Sequence, residues 1–177
     1  WQLGPLFLDS AGEPPPWPSR PGPRVFAYLR PSTPQLDDVL AALAALDASV
    51  LVRCDGLDRA RLQALQATPL ALTAAVVRMA DVAREAALVV CSGSDTAHGL
   101  AARGVPVLAL PLNAEQRLAA ERLVALGIGR MWLPGGDSAD RLAARLHELL
   151  ASAEVRAAAA AVRARHAALN PQAALAA

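Results

Sequence analysis

The sequence predicts an α/β fold: a Rossmann-like, three-layer α/β/α domain with a six-stranded, mostly parallel sheet. Short apolar runs alternate along the chain with stretches whose apolar residues recur at helical spacing. The run 88–91 is apolar at every position, as in parallel strands covered on both faces. This alternation predicts a covered parallel sheet, and ligands of such sheets bind beyond the carboxyl ends of the strands.

Length and composition fit a single globular domain. The chain has 177 residues, of which 54% are hydrophobic and 19% charged. The formal net charge is +1, with 17 basic residues interspersed among 16 acidic ones, which disfavours a nucleic-acid partner. No apolar run reaches the about 20 residues that cross a bilayer, so we expect no transmembrane segment.

The cysteines and histidines suggest no cofactor. Cys54 and Cys91 form neither a disulfide framework nor a CxxC metal motif, and a reduced, cytoplasmic location is the default expectation. The three histidines lie on predicted helices without a second ligand at metal spacing, so no metal site is expected.

Residues 1–23 are predicted to be a proline-rich linker, which the family resemblance given below makes an inter-domain linker. Proline excludes helix and interior strand and favours extended polyproline geometry, so this segment is expected to lie over a surface. Its prolines are Pro5, Pro14, Pro15, Pro16, Pro18, Pro21 and Pro23.

The first half of the following domain alternates strands and helices. Strands are predicted over 25–29, 48–54 and 70–77, each a short apolar run. Helices are predicted over 35–46, 57–66 and 79–86. The first is entered through a Pro-Ser-Thr-Pro turn, and its apolar residues are Leu36, Val39, Leu40, Leu43 and Leu46.

The second half continues the pattern through the stretch 88–111: a buried strand, a polar turn, a short helix that begins near Asp95, and a second buried strand. A helix over 113–126 is ended by Gly127, which suits a left-handed C-cap. The last strand is predicted over 128–133, followed by a turn at 134–137 and two Ala-rich helices over 138–151 and 154–168. We place the domain at 24–169 and a frayed tail at 170–177.

The turn after the strand 88–91 has the outline of an anion site. A helix N-terminus presents unpaired backbone N–H groups and the positive end of the helix dipole. The ligand expected at the turn from Cys91 to Thr96 is therefore a phosphate group.

The spacing of short motifs in and after this turn resembles that of a known protein family. In order, the stretch contains Thr96, Gly104-Val105-Pro106, Pro111 and Glu115-Gln116. It resembles the donor-binding signature of two-domain B-type glycosyltransferases, the group of UDP-glucuronosyltransferases and macrolide glycosyltransferases. That signature is His-Gly-Gly-x-Gly-Thr, then Gly-Val-Pro, a second Pro, and Asp-Gln or Glu-Gln. Gly93 keeps its glycine, whereas Cys91, Ser92 and Asp95 depart from the pattern.

The resemblance implies a binding site for a nucleoside-diphosphate sugar, a UDP- or TDP-sugar. The implied diphosphate-binding residues are Arg30, Ser32, Cys91, Gly93, Ser94 and Thr96. The implied sugar-binding residues are Glu115 and Gln116, and the implied base-binding residues are Val77 and Arg78.

The resemblance also implies a missing N-terminal acceptor domain, which in the family commonly supplies the general base. No catalytic residue is assigned in this chain. Leu3-Gly4-Pro5-Leu6 resembles the family's Val-Gly-Pro-Leu stretch, which leads from the acceptor domain into the donor domain. We expect the isolated chain to be inactive and monomeric.

Each of these residues also has a purely structural explanation. Ser94 and Thr96 suit a helix cap, and Glu115 and Gln116 suit the first turn of a helix. A buried Cys91 is an inert small hydrophobe unless its pKa is lowered.

Arg30 has two possible partners, a diphosphate or the carboxylate of Asp95. The alternative function is accordingly a degenerate, non-catalytic module of this fold that acts in interaction or regulation. The departures at Cys91, Ser92, Asp95 and Arg30 favour the alternative, whereas Thr96 and Glu115-Gln116 favour the transferase.

Overall fold

The computed structural model describes residues 12–93, 95–133 and 139–167, along which strands and helices alternate. The strands are β1 (Arg24–Leu29), β2 (Ser49–Cys54), β3 (Ala71–Thr73), β4 (Leu88–Cys91), β5 (Val107–Ala109) and β6 (Gly129–Met131). The helices are α1 (Leu36–Ala44), α2 (Arg59–Gln66), α3 (Met79–Glu85), α4 (Asp95–Ala102), α5 (Ala114–Ala125), α6 (Ala139–Ala151) and α7 (Ala153–Ala167).

The six strands form one sheet in the order β3-β2-β1-β4-β5-β6, and every pair is parallel. β1 is central, with Val25 opposite Val50 of β2 and Leu88 of β4. The chain leaves the β3 edge and re-enters beside β1, so the strand order reverses between β1 and β4. This is the Rossmann-like architecture predicted from the sequence, and the carboxyl ends of β1 and β4 form its topological switch point.

Two apolar cores cover the two faces of the sheet, because successive side chains of a strand point to opposite faces. One core contains residues of α1, α2 and α6, such as Leu40, Leu65 and Leu146. The other contains residues of α3, α4, α5 and α7, and its strand residues include Phe26 and Val89. The domain is therefore layered helix, sheet, helix, as the sequence predicts.

The third strand is shorter than predicted. It ends at Thr73, whereas the apolar run was expected to continue as strand to residue 77. The backbone beyond it instead pairs outside the sheet: Ala75 O accepts a hydrogen bond from Arg53 Nε, and Val77 forms an isolated parallel bridge with Glu13. The strand ends because side-chain and linker partners replace the neighbouring strand.

Some helix ends also move by a few residues. Gln35 is the N-cap of α1 and not its first residue, because its φ of 50° lies in the left-handed region. Asp58 caps α2 by accepting a hydrogen bond from Arg61 N at 2.8 Å, so that helix begins at Arg59 and not at residue 57. Four parts of the prediction lie outside the described residues: the linker residues 1–11, Ser94, the turn at 134–137 and the tail 170–177.

Candidate functional site

The predicted diphosphate- and sugar-binding residues lie at or just after the carboxyl ends of three adjacent strands, β1, β4 and β5. The registers place Tyr28 of β1 beside Cys91 of β4, and Cys91 beside Ala109 of β5. Pairing extends one residue past the ladder, because Leu110 N donates to Cys91 O at 2.8 Å. The turns after β1, β4 and β5 therefore open at one edge, where the sequence predicts the ligand.

Gly93 brings the turn after β4 against the start of α5. Its φ is +88°, and a Cβ there would lie 3.1 Å from Gln116 O and 3.7 Å from the Ala109 Cβ. A side chain at this position would need both an unfavourable backbone conformation and a shift of α5. The retained glycine of the motif thus permits close contact with the Glu115-Gln116 turn.

The first turn of α5 is held by reciprocal hydrogen bonds. Asn113, the N-cap, accepts from Gln116 N at 2.9 Å through Oδ1. Gln116 Oε1 in turn accepts from Leu112 N at 2.8 Å, which leaves the Nε2 donors of the side chain. Glu115 is exposed in the same turn, where its carboxylate suits the helix dipole. The pattern Asn-x-x-Gln signals this cap in the sequence.

The turn after β1 presents Arg30 and Ser32 to solvent. Buried Thr33 shapes the turn: its N–H donates to Arg30 O at 2.9 Å, and its Oγ1 accepts from Arg30 N at 3.1 Å. No ion pair joins Arg30 to Asp95, although both residues are described. Of the two partners considered for Arg30, the Asp95 carboxylate is therefore not engaged.

The start of α4 presents a carboxylate at the same edge. Asp95 is the first residue of the helix and is exposed, while Thr96 is half-buried. An acidic residue in a first helical turn is stabilised by the helix dipole. At the same position its carboxylate repels any anion that approaches the helix N-terminus.

Cys91 is enclosed in the core. Its side chain is 1% exposed and packs in the cluster of Phe26, Val89 and Ala109. Desolvation raises the pKa of the Cys91 thiol to about 11, against a smaller lowering effect of a hydrogen bond from the Gly93 backbone. The residue that replaces the family's histidine is thus a buried, protonated thiol.

The two predicted base-binding residues have separate surroundings. Val77 is 1% exposed and belongs to the core that contains Phe26, so its side chain offers no ligand surface. Arg78 is the N-cap of α3, and its Nη1 lies 3.2 Å from Asp81 Oδ2. The neighbouring Val76 is 55% exposed and presents an apolar surface that Val77 does not.

Sequence reasoning missed Arg53, whose side chain contacts the backbone at Ala75, just before these residues. Its guanidinium lies 4.8 Å from the Tyr28 ring centroid and donates from Nε to Ala75 O at 3.0 Å. The signal was present in the sequence, since Arg53 interrupts an otherwise apolar strand. Over the described ranges, no group of three or more His, Cys, Asp or Glu side chains has the arrangement of a metal site.

The parallel sheet, with polar turns gathered at its carboxyl edge, defines a Rossmann-like α/β domain with a candidate ligand site at that edge. Residues 37–175 match the family described as Erythromycin biosynthesis protein CIII-like, C-terminal domain. The chain belongs to this family.

Curated relatives include transferases of mycobacteria. The chain is 34% identical over 163 residues to the PGL/p-HBAD biosynthesis glycosyltransferase of Mycobacterium tuberculosis, covering 89% of this chain and 37% of the relative. It is 31% identical over 164 residues to the PGL/p-HBAD biosynthesis rhamnosyltransferase of Mycobacterium bovis, covering 89% and 36%. The chain thus spans little more than a third of the length of these relatives.

Solved structures share the fold. The spinosyn rhamnosyltransferase SpnG superposes with a TM-score of 0.75 at 23% identity, covering 97% of this chain and 48% of SpnG. The glycosyltransferase VinC in complex with DTDP gives 0.73 at 23% identity, covering 85% and 39%. Within the described residues, no helix combines the length and the apolar character that crossing a membrane requires.

Proposed function

We propose that this chain is the donor-binding half of a bacterial glycosyltransferase that transfers a sugar from a UDP- or TDP-sugar to an acceptor. The observation that carries the proposal is the approach of the Gly93 turn to the Glu115-Gln116 turn, beside the end of β1. The names of the relatives support it, as do the neighbours VinC and SpnG, whose structures contain DTDP and thymidine diphosphate.

The proposed site divides into three parts along the carboxyl edge. The diphosphate would be held by Arg30, Ser32, Gly93, Ser94 and Thr96, through a guanidinium, hydroxyls and backbone N–H groups. Cys91 contributes to this part only through core packing next to the turn, because its side chain is buried.

The other two parts bind the sugar and the base. Gln116 Nε2 would donate to a sugar hydroxyl while Glu115 accepts from another, since Gln116 Oε1 is already engaged by Leu112 N. At the base end, Arg78 and exposed Val76 offer a cation and an apolar surface, with Val77 anchoring the segment in the core.

The chain is proposed to act only together with an N-terminal acceptor domain. We assign none of its residues as the general base, and we expect that domain to supply the base and the acceptor. We also propose a cytoplasmic location, because both cysteines are free and buried.

A second function is favoured by one observation. The Asp95 carboxylate is exposed at the α4 N-terminus and has no ion pair among the described residues. At about 5 Å and an effective dielectric of about 20, it would repel a bound phosphate by about 3 kcal/mol, roughly a hundredfold in affinity. The alternative is a non-catalytic module that keeps the fold without the donor.

Calorimetric titration with TDP and UDP at one ionic strength tests the proposal. We expect the wild type to bind and Asp95→Gly to bind about tenfold tighter. The variant lacks the volume and the negative charge of the Asp95 side chain at the opening of the phosphate site. Asp95→Asn is the matched control that keeps the volume and removes the charge, and it should recover most of this gain.

Arg30→Ala should bind more weakly than the wild type, because the proposed diphosphate site loses its cation. Absence of binding by both the wild type and Asp95→Gly would overturn the donor-site proposal and favour the non-catalytic module.

A further inference from the structure

We propose that residues 12–23, which we call the strap, position the backbone segment 74–78, and that Gly12 and Glu13 are its positioning residues. Through this segment the strap sets the base end of the donor site. The role in ligand binding rests on the function proposed above, whereas the positioning itself can be measured without ligand.

The strap and the segment are joined backbone to backbone. Glu13 N donates to Val76 O at 2.8 Å, and Glu13 O accepts from Arg78 N at 2.7 Å. These two bonds form a parallel bridge on both sides of Val77. Since Arg78 is the N-cap of α3, the strap holds the point at which the segment turns into the helix.

Gly12 shows that this contact needs a residue without a side chain. Its φ is +103°, and a Cβ there would lie 2.6 Å from Val76 O and 2.7 Å from the carbonyl carbon of Val77. Both are backbone atoms, which cannot move aside as the end of a flexible side chain can. A substituted residue 12 would therefore push the strap away from the segment.

The segment is held from the other side by β2 and β3. Arg53 Nε donates to Ala75 O at 3.0 Å, and its guanidinium is oriented by the Tyr28 ring and by Asp55 Oδ2 at 2.9 Å. Thr73 Oγ1 accepts from Ala75 N at 3.1 Å. With Arg53 inside and the strap outside, both the exposed Val76 and the buried Val77 are fixed in orientation.

The middle of the strap is anchored at Glu85, the last residue of α3. Glu85 Oε2 accepts from Trp17 Nε1 at 2.8 Å and from Arg24 Nη1 at 2.6 Å, and Arg24 lies 5.4 Å from the Trp17 ring centroid. Ser49 Oγ donates to Pro18 O at 3.1 Å. The strap therefore spans α3 from its first turn to its last, and its prolines reduce the entropy lost on docking.

A comparison of two glycine variants of the strap separates its effect on the segment 74–78 from a general loss of stability of the chain. Gly12→Ala places a Cβ against the segment 74–78. Gly22→Ala is the matched control: Gly22 has a φ of +108°, and its Cβ would lie 2.9 Å from Asp47 O, away from the segment. Both variants strain a left-handed residue and meet backbone, so comparable losses of stability are expected.

Hydrogen exchange of the ligand-free chain is the first measurement. In Gly12→Ala the amides of Glu13 and Arg78 should exchange faster relative to the remaining amides, whereas in Gly22→Ala they should keep the protection of the wild type. Equal exchange at these two amides in both variants would overturn the proposal. If Gly12→Ala does not fold, Glu13→Pro replaces the N–H that donates to Val76 O by a ring carbon and is measured in its place, at the Arg78 amide alone because proline has no N–H.

Titration with TDP and with inorganic pyrophosphate is the second measurement. Gly12→Ala should lose about tenfold in TDP affinity relative to Gly22→Ala, as expected when the binding-competent segment is populated about a tenth of the time. Pyrophosphate affinity should match between the variants, because it does not use the base end.

Equal TDP affinities of the two variants would overturn the role in binding. A wild type that binds no TDP contradicts the proposed function, and hydrogen exchange alone then decides whether the strap positions the segment.

Discussion

Cys91 shows at the residue scale how burial limits what a side chain can do. It ends β4 directly before the proposed phosphate turn, where the family signature has a histidine. The thiol is 1% exposed, and desolvation raises its pKa to about 11. A neutral thiol in the core neither binds phosphate as a cation nor acts as a nucleophile near neutral pH.

We predict that Cys91 makes stability fall at alkaline pH. Its thiol pKa rises from an ordinary value of 9.0 to about 11 on folding. Between these values the unfolded chain loses the proton that the folded chain keeps, so the contribution is complete below about pH 9 and is lost as the pH rises towards about 11. The slope is at most about 1 kcal/mol per pH unit.

Urea unfolding at a series of pH values, with wild type and Cys91→Ala compared, measures this slope. The variant should show a flatter decline, whatever its overall loss of stability. Cys54→Ala is the control for the other buried thiol, whose pKa burial also raises. An identical decline for the wild type and Cys91→Ala would contradict the assignment.

At the scale of elements, the start of α5 combines a structural and a proposed binding role. Asn113 Oδ1 accepts from Gln116 N, an N–H group that the helix leaves unpaired, and Gln116 Oε1 accepts from Leu112 N just before the cap. The Gln116 side chain is thereby held in one orientation. A sugar-binding amide on a capped helix is pre-organised, whereas a free surface side chain would lose rotamer entropy on binding.

We predict that two variants of this turn separate capping from binding. Asn113→Ala should lower the free energy of unfolding by about 1 kcal/mol, because the cap bond to Gln116 N is lost. Gln116→Glu keeps an oxygen acceptor for Leu112 N but removes the Nε2 donors, so stability should change little. Urea unfolding and calorimetric titration with TDP-glucose and TDP measure the two effects.

The expected result is that Gln116→Glu weakens TDP-glucose binding more than TDP binding, because the new carboxylate repels the diphosphate of both ligands whereas the lost Nε2 donors matter only for the sugar. Asn113→Ala should affect the two ligands alike. If Gln116→Glu bound TDP-glucose as tightly as the wild type, the amide would not be a sugar donor and would serve only the helix cap.

At the scale of the whole molecule, two cores make the described part of the chain a complete layered unit. Both faces of the sheet are covered, and each edge strand has only three residues, Ala71–Thr73 on one side and Gly129–Met131 on the other. Short edge strands present few unpaired backbone N–H and C=O groups, so they offer little surface for pairing with a strand of another copy. Large side chains of both cores, such as Trp132 and Phe26, are fully enclosed.

We therefore predict that the isolated chain folds alone as a monomer. Sedimentation velocity over a wide concentration range should show one species with the mass of a single chain. Unfolding followed by far-UV circular dichroism and by tryptophan fluorescence should give coincident transitions, independent of protein concentration. An obligate dimer, or a midpoint that rises with concentration, would contradict this prediction.

The alternation of apolar runs and helical periodicity predicted the three-layer fold, because these patterns are local and the sheet forms only when each run is buried. Motif spacing likewise indicated the family and the elements that meet at the carboxyl edge. Even the α5 cap is visible in the sequence, since its partners lie within one helical turn of each other.

The tertiary structure alone decided which face of each segment is buried and which distant backbone atoms meet. It ended β3 at Thr73, buried Val77 while exposing Val76, and docked Gly12 and Glu13 against that segment. These outcomes depend on hydrogen bonds between residues far apart in the sequence, from 22 positions for Arg53 Nε to Ala75 O to 63 for Glu13 N to Val76 O. Local periodicity carries no information on such pairs, because they form only once the sheet and α3 have created the surface on which the strap lies.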